Sequence, residues 1–175
     1  AVARSLEAQR IFDSERIRVV TNAIDLERFS ERTGVRNVNR RPWRVGIVGE
    51  LSPVKDQETF LTAAARVLRS CGPDVEFVVV GSDASAGARY RMRLEKLIAD
   101  LGLSGSVQMM SERVHDEIPV ILESLDVFVS ASRSESFGIA MAEAMASGLP
   151  IVATATDGAR EIIEDGMTGT ITPIG

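Results

Sequence analysis

Residues 45–80 read VGIVGELSPVKDQETFLTAAARVLRSCGPDVEFVVV, and this stretch decides the fold. Its two ends, Val45–Val48 and Val75–Val80, are apolar runs rich in β-branched residues, with almost no alternation of apolar and polar side chains. Strands buried on both faces look like this, and such strands are typical of parallel sheets. Between them, residues 56–70 set Phe60, Leu61, Ala64, Val67 and Leu68 on one stripe at helical spacing.

The same alternation continues outward. Further strand-like runs stand at Val107–Met110, Val127–Ser130, Ile151–Ala153 and Gly169–Thr172, with helical patterns at 88–101, 116–124, 137–146 and 158–164. Strand–helix alternation of this kind predicts an α/β fold with a doubly wound parallel sheet. Such sheets bind ligands in the crevice beyond the carboxyl ends of their strands, so the informative residues should follow the strands. Towards the start the pattern fades. Residues 3–11 read as a short helix, Arg16–Val20 as a brief strand-like run, and residues 21–44 as a polar loop with a helical turn near Leu26–Phe29. The expected division is therefore 1–44, the end of a preceding domain with its linker and a loop, and 45–175, one wound α/β domain.

Bulk properties narrow the function. A chain of 175 residues is enough for one compact domain. Twenty basic against 25 acidic residues leave a net charge of −5, which argues against a nucleic-acid partner. The single cysteine, Cys71, cannot form an internal disulfide and is expected to be buried filler late in a helix. No apolar run approaches the roughly 20 residues of a membrane span, and the first ten residues lack the apolar stretch of a secretory signal. Both ends read as cut from something longer.

Three loops carry candidate chemistry. After the first strand comes Gly49-Glu50-Leu51-Ser52-Pro53-Val54-Lys55-Asp56. Glycine allows a sharp turn and close approach to a ligand, and a lysine ahead of a helix can offer charge to phosphate oxygens. The plainer reading has Ser52 or Asp56 capping the helix and Lys55 in solvent. After the second strand, Gly81-Ser82-Asp83 is either a ligand loop or only a turn. After the fourth, Ser130-Ala-Ser-Arg-Ser-Glu-Ser-Phe-Gly138 leads into a helix with Ser136 as its expected N-cap and Gly148 and Pro150 at its end. From Phe137 to Ala146 the one polar side chain is Glu143. A helix apolar all round is buried, and a buried carboxylate needs partners: an internal contact, for which Arg160 is a candidate, or the hydroxyls of a ligand diol. The helix N-terminus favours an anion, and Glu135 beside it serves either the helix dipole or a sugar. His115, the single histidine, has no metal-ligand spacing around it and reads as a surface residue.

Glu135, seven residues, then Glu143, within Glu-Ser-Phe-Gly-Ile-Ala-Met-Ala-Glu-Ala-Met-Ala-Ser-Gly-Leu-Pro-Ile-Val-Ala-Thr, resembles the signature of the group 1 (family 4) glycosyltransferases of the GT-B fold. Val19 to Asp25 resembles their inter-domain linker, Gly49 to Asp56 their phosphate loop, and Asp126 to Ser130 the strand ahead of the signature. Asp157 to Glu161 and Asp165 to Gly169 resemble their closing turns. The match runs from about residue 5 onward. It implies a Rossmann-like C-terminal domain that binds a UDP- or GDP-sugar, with an acceptor-binding domain preceding it. By the resemblance, Glu135 contacts the donor sugar and Glu143 the ribose hydroxyls. Backbone amides of Phe137, Gly138 and Ile139 hold sugar or diphosphate oxygens, Lys55 neutralises diphosphate, Gly49, Glu50 and Gly81 border the donor, and Arg113–Val114 border the base. The implied reaction is sugar transfer with retention, through an oxocarbenium-like transition state, without a cofactor or metal. The implied location is the cytoplasm, with docking of the full-length protein on the inner membrane face as a further expectation.

The sequence departs from the family pattern in places. Glu50 stands where an arginine usually follows the phosphate-loop glycine, and a carboxylate beside a diphosphate repels it by about 1 kcal/mol or more. Either Glu50 points away, or Arg133 or Arg160 supplies the charge, or the donor binds weakly. Thr21 and Ala23 replace the usual proline and glycine of the linker, and Asp157-Gly158 stands where two glycines are common. Two alternatives therefore remain beside the transferase: a degenerate relative acting as a nucleotide-sugar-binding or regulatory module, and a GT-B-fold nucleotide-sugar epimerase.

Overall fold

In the computed structural model, residues 15, 18, 20, 22–29, 41–111, 113 and 115–175 are described. Six strands form one sheet: β1 (Trp43–Val48), β2 (Val75–Val80), β3 (Val107–Met110), β4 (Val127–Ser130), β5 (Ile151–Thr154) and β6 (Thr170–Thr172). Every pairing is parallel, and the spatial order is β3-β2-β1-β4-β5-β6. Helices α1 (Gln57–Cys71), α2 (Arg89–Asp100), α3 (Ile118–Ser124), α4 (Ile139–Ala146) and α5 (Asp157–Ile162) fill the crossovers. This is the doubly wound, Rossmann-like α/β sheet that the periodicity predicts, and each predicted strand and helix from residue 45 onward is present within about two residues.

The reason is visible in the second strand. Phe77 and Val79 pack into one core with Phe60, Leu61 and Leu94 from α1 and α2. Val78 and Val80 pack into the other, with Leu122, Met141, Ala144 and Ala159 from α3, α4 and α5. A run without polar alternation is what two apolar layers require. Phe29, from the turn at residues 26–29, is 2% exposed and sits in the second core, so the segment ahead of the sheet also contributes to it.

Two local expectations fail. Cys71 is exposed, because the last turn of α1 carries it beyond the apolar stripe that ends near Leu68. Ser136 does not cap α4: the N-cap is Gly138, in a left-handed conformation at φ 90°, so the helix starts two residues later than the sequence suggests. The helix expected at 3–11, most of the run at 16–20 and the loop at 30–40 lie outside the described residues. Among those described, no helix is long and apolar enough to cross a membrane.

Candidate functional site

The strand order reverses between β1 and β4, which are neighbours, Val45 of one pairing with Val127 of the other. Crossovers leave these two strands in opposite directions, which opens a crevice at their carboxyl ends. A cleft of about 250 Å3 lies there, lined among others by Gly49, Glu50 and Lys55 after β1, Ser130 at the end of β4, Ser132 and Glu135 after it, and Gly138 to Met141 at the start of α4.

The β1–α1 loop is held by backbone and buried side chains. Gly49 takes φ 152°, and its amide donates to the Val80 carbonyl at 3.0 Å. Gly81 lies so close to it that a Cβ there would stand 1.9 Å from the Gly49 carbonyl oxygen. Gln57, 1% exposed, grips the loop twice: its Nε2 donates to the Glu50 carbonyl at 2.9 Å, and its Oε1 accepts from the Ser52 amide at 3.3 Å. Asp56 is the helix N-cap, in a left-handed conformation, and accepts from the Thr59 amide and hydroxyl. The capping half of the plain reading is thus correct at Asp56. Its other half is not: Lys55 is partly buried and its Nζ donates to the Glu135 carboxylate.

The β4–α4 loop reaches back to the first. The Arg133 amide donates to the Val54 carbonyl at 2.8 Å, and its Nε bonds the Asp56 carboxylate at 2.9 Å. On the other side the Gly158 amide donates to the Glu135 carbonyl at 2.8 Å, and a Cβ at Gly158 would stand 2.7 Å from the Phe137 backbone. The first turn of α4 has no side-chain cap. Its leading amides, at Ile139, Ala140 and Met141, have no acceptor within the helix, as at any helix start.

Of the sequence-predicted residues, Lys55, Glu135, Gly49, Glu50, Gly138 and Ile139 come together on the cleft. Phe137 lies just behind, against Gly158. Gly81 supports Gly49 from beneath, with its φ outside the left-handed region, so it serves close packing. Glu143 is 5% exposed on the second turn of α4, and its carbonyl accepts from the Ser147 amide and hydroxyl. The helix is not buried all round, since Ile139 is 50% exposed at the cleft. Arg113 is exposed and faces Glu117 at 3.6 Å, away from the lining; Val114 and the side chain of His115 lie outside the described residues. Arg160 donates to the Ala155 carbonyl at 3.4 Å. Among the described residues, Lys55 is the one cationic side chain lining the cleft.

Sequence reasoning passed over Gln57, the Asp56–Arg133 pair and the supporting role of Gly158. A glutamine at a helix start looks like surface, and only its burial reveals the grip. The acidic–basic pair spans two loops with no local spacing to betray it.

The comparisons with known proteins agree with the fold. The chain is 31% identical over 180 residues to the D-inositol 3-phosphate glycosyltransferase of Mycobacterium sp. (strain KMS), covering 97% of this chain and 40% of that protein. It thus spans 33–40% of the length of the curated relatives it matches. Anabaena HepE, solved in complex with UDP and glucose, superposes with a TM-score of 0.82 at 29% identity, over 97% of this chain and 46% of that one. The C-terminal domain of the group 1 glycosyl transferase LpcC from Francisella tularensis superposes with a TM-score of 0.72 at 26% identity, over 86% and 80%. The model of the family "Glycosyl transferases group 1" matches residues 30–175, and the chain belongs to that family.

Proposed function

We propose that this chain is the donor-binding domain of a retaining glycosyltransferase that takes a sugar from a UDP- or GDP-sugar, the acceptor being held by another domain of the full-length protein. The observation that carries the reading is the meeting of Lys55 and Glu135 at the β1/β4 crevice, beside the uncapped first turn of α4. A lysine and helix amides suit a diphosphate, and a carboxylate suits sugar hydroxyls. HepE, a relative of the same fold, is complexed with UDP and glucose, which supports a uridine nucleotide as the first candidate.

In this reading the bond between the anomeric carbon and the diphosphate oxygen breaks, and its electron pair stays on that oxygen. The acceptor hydroxyl oxygen forms the new bond at the same carbon and passes its proton to the departing diphosphate oxygen. Lys55 and the α4 amides stabilise the departing charge, which is where catalysis by electrostatics acts. Glu135 accepts from the sugar, Glu143 from the ribose, and the Asp56–Arg133 pair holds the two loops in register.

Glu50 at the cleft favours a second reading, a nucleotide-sugar-binding module without turnover. Calorimetric titration with UDP, GDP and ADP, then with their glucose or mannose conjugates, tests the donor site that both readings share. Saturable binding of one nucleotide, lost in Glu143→Ala, is the expected result. Failure of every nucleotide to bind at millimolar concentration would sink the donor-domain reading for this chain alone.

A further inference from the structure

Lys55 and Glu135 bond each other across the cleft from loops 80 residues apart. Their side chains are 29% and 17% exposed, so much of the pair is out of water. The neighbouring guanidinium groups are engaged elsewhere, Arg133 on the Asp56 carboxylate at 2.9 Å and Arg160 on the Ala155 carbonyl at 3.4 Å. Glu50, the other acidic residue on the cleft, adds no positive charge. If the proposed donor site is correct, Lys55 then has two claimants, the Glu135 carboxylate and a phosphate oxygen.

The two cannot be satisfied at equal cost. A phosphate that takes the ammonium leaves Glu135 as a partly desolvated carboxylate beside a polyanion, and separating a half-buried pair in this way is unfavourable. A sugar-bearing donor offsets the loss, because its hydroxyls donate to Glu135 in place of the ammonium. A bare nucleoside diphosphate brings no such donor. We propose that Glu135 discriminates between donor and product: by competing for Lys55, it weakens the free nucleoside diphosphate relative to the nucleotide sugar. In a transfer reaction whose product is that diphosphate, the pair re-forms behind the departing sugar and expels the product, making room for fresh donor. The inference rests on the donor-site reading above and adds to it a role in product release.

The test measures the sign of one substitution on two ligands. UDP and UDP-glucose, with GDP and GDP-mannose in parallel, are titrated into the wild-type chain, Glu135→Gln and the Lys55→Met/Glu135→Gln double variant, each checked for folding by thermal melting. The expected outcome is UDP binding roughly tenfold tighter in Glu135→Gln, with UDP-glucose unchanged or weaker. The gain should vanish when Lys55 is also removed. A merely structural role would weaken both ligands together. Glu135→Asp, whose shorter carboxylate falls back from the ammonium, should shift UDP in the same direction and serves if the glutamine variant does not fold. Wild-type binding with UDP unchanged or weakened in both variants overturns the inference and leaves the donor site standing. No nucleotide binding by any variant overturns the donor site and the inference with it.

Discussion

The two loops that meet at the crevice solve the same problem differently. Each follows a central strand and leads into a helix. The β1–α1 loop is closed on itself: Asp56 occupies the N-terminus of its own helix, and Gln57 satisfies the backbone at Glu50 and Ser52. The β4–α4 loop ends in Gly138, which has no side chain to cap the helix, and its bonds go outward to Val54, Asp56 and Gly158. A capped helix start has already given its amides to the protein, whereas an uncapped one keeps them for an anion. The first loop is therefore a rigid mount for Lys55, and in the proposed donor site the second supplies the free helix amides.

Substitutions can break this contrast. Gly81→Ala should do most damage, because the Cβ would fall on the Gly49 carbonyl oxygen, a backbone atom, and the β1–α1 loop itself would have to shift. The expected loss is about 3 kcal/mol in urea unfolding, and a wild-type stability would remove the rigid mount from the account. Gly158→Ala attacks the second loop through the Phe137 backbone. Here a loss of about 2 kcal/mol is expected, with nucleotide affinity falling as the loop shifts towards the cleft. Should affinity stay the same at reduced stability, the β4–α4 loop would not be the contact surface. Asp56→Ala removes the α1 cap and the Arg133 partner and leaves alanine in a left-handed conformation. It should cost about 1.5 kcal/mol by thermal or chemical melting, and Asp56→Asn, which keeps the cap, should recover part of that. Ser136→Ala sharpens the comparison at its small end. Because Gly138 and not Ser136 begins α4, the change should stay within about 0.5 kcal/mol; a larger loss would restore Ser136 as the cap.

Most of the sheet was legible because its signal is local. Phe77 to Val80 lies between two apolar layers, and four consecutive buried apolar residues suit a strand covered on both faces. The candidate site was half legible. Glu135, Lys55, Gly49 and Gly138 could be picked out because they follow strands, where a wound sheet places its ligands. The Gly81 loop was ambiguous, and only the approach of the Gly49 carbonyl shows why glycine is needed there. Cys71 and Ser136 were misread by one helical turn or less. A stripe of apolar residues fixes the face of a helix well but its ends poorly, since the end turns carry few packing contacts.

By itself the sequence determined the elements, their order, and the family to which the chain belongs. Each of these depends on residues near one another in the chain, where periodicity and motif spacing act. Tertiary structure alone decided which side chains meet: Lys55 with Glu135, Asp56 with Arg133, Gly158 against Phe137. These pairs exist because β4 docks beside β1 and β5 beside β4, and that docking is set by burial of both sheet faces rather than by any local preference.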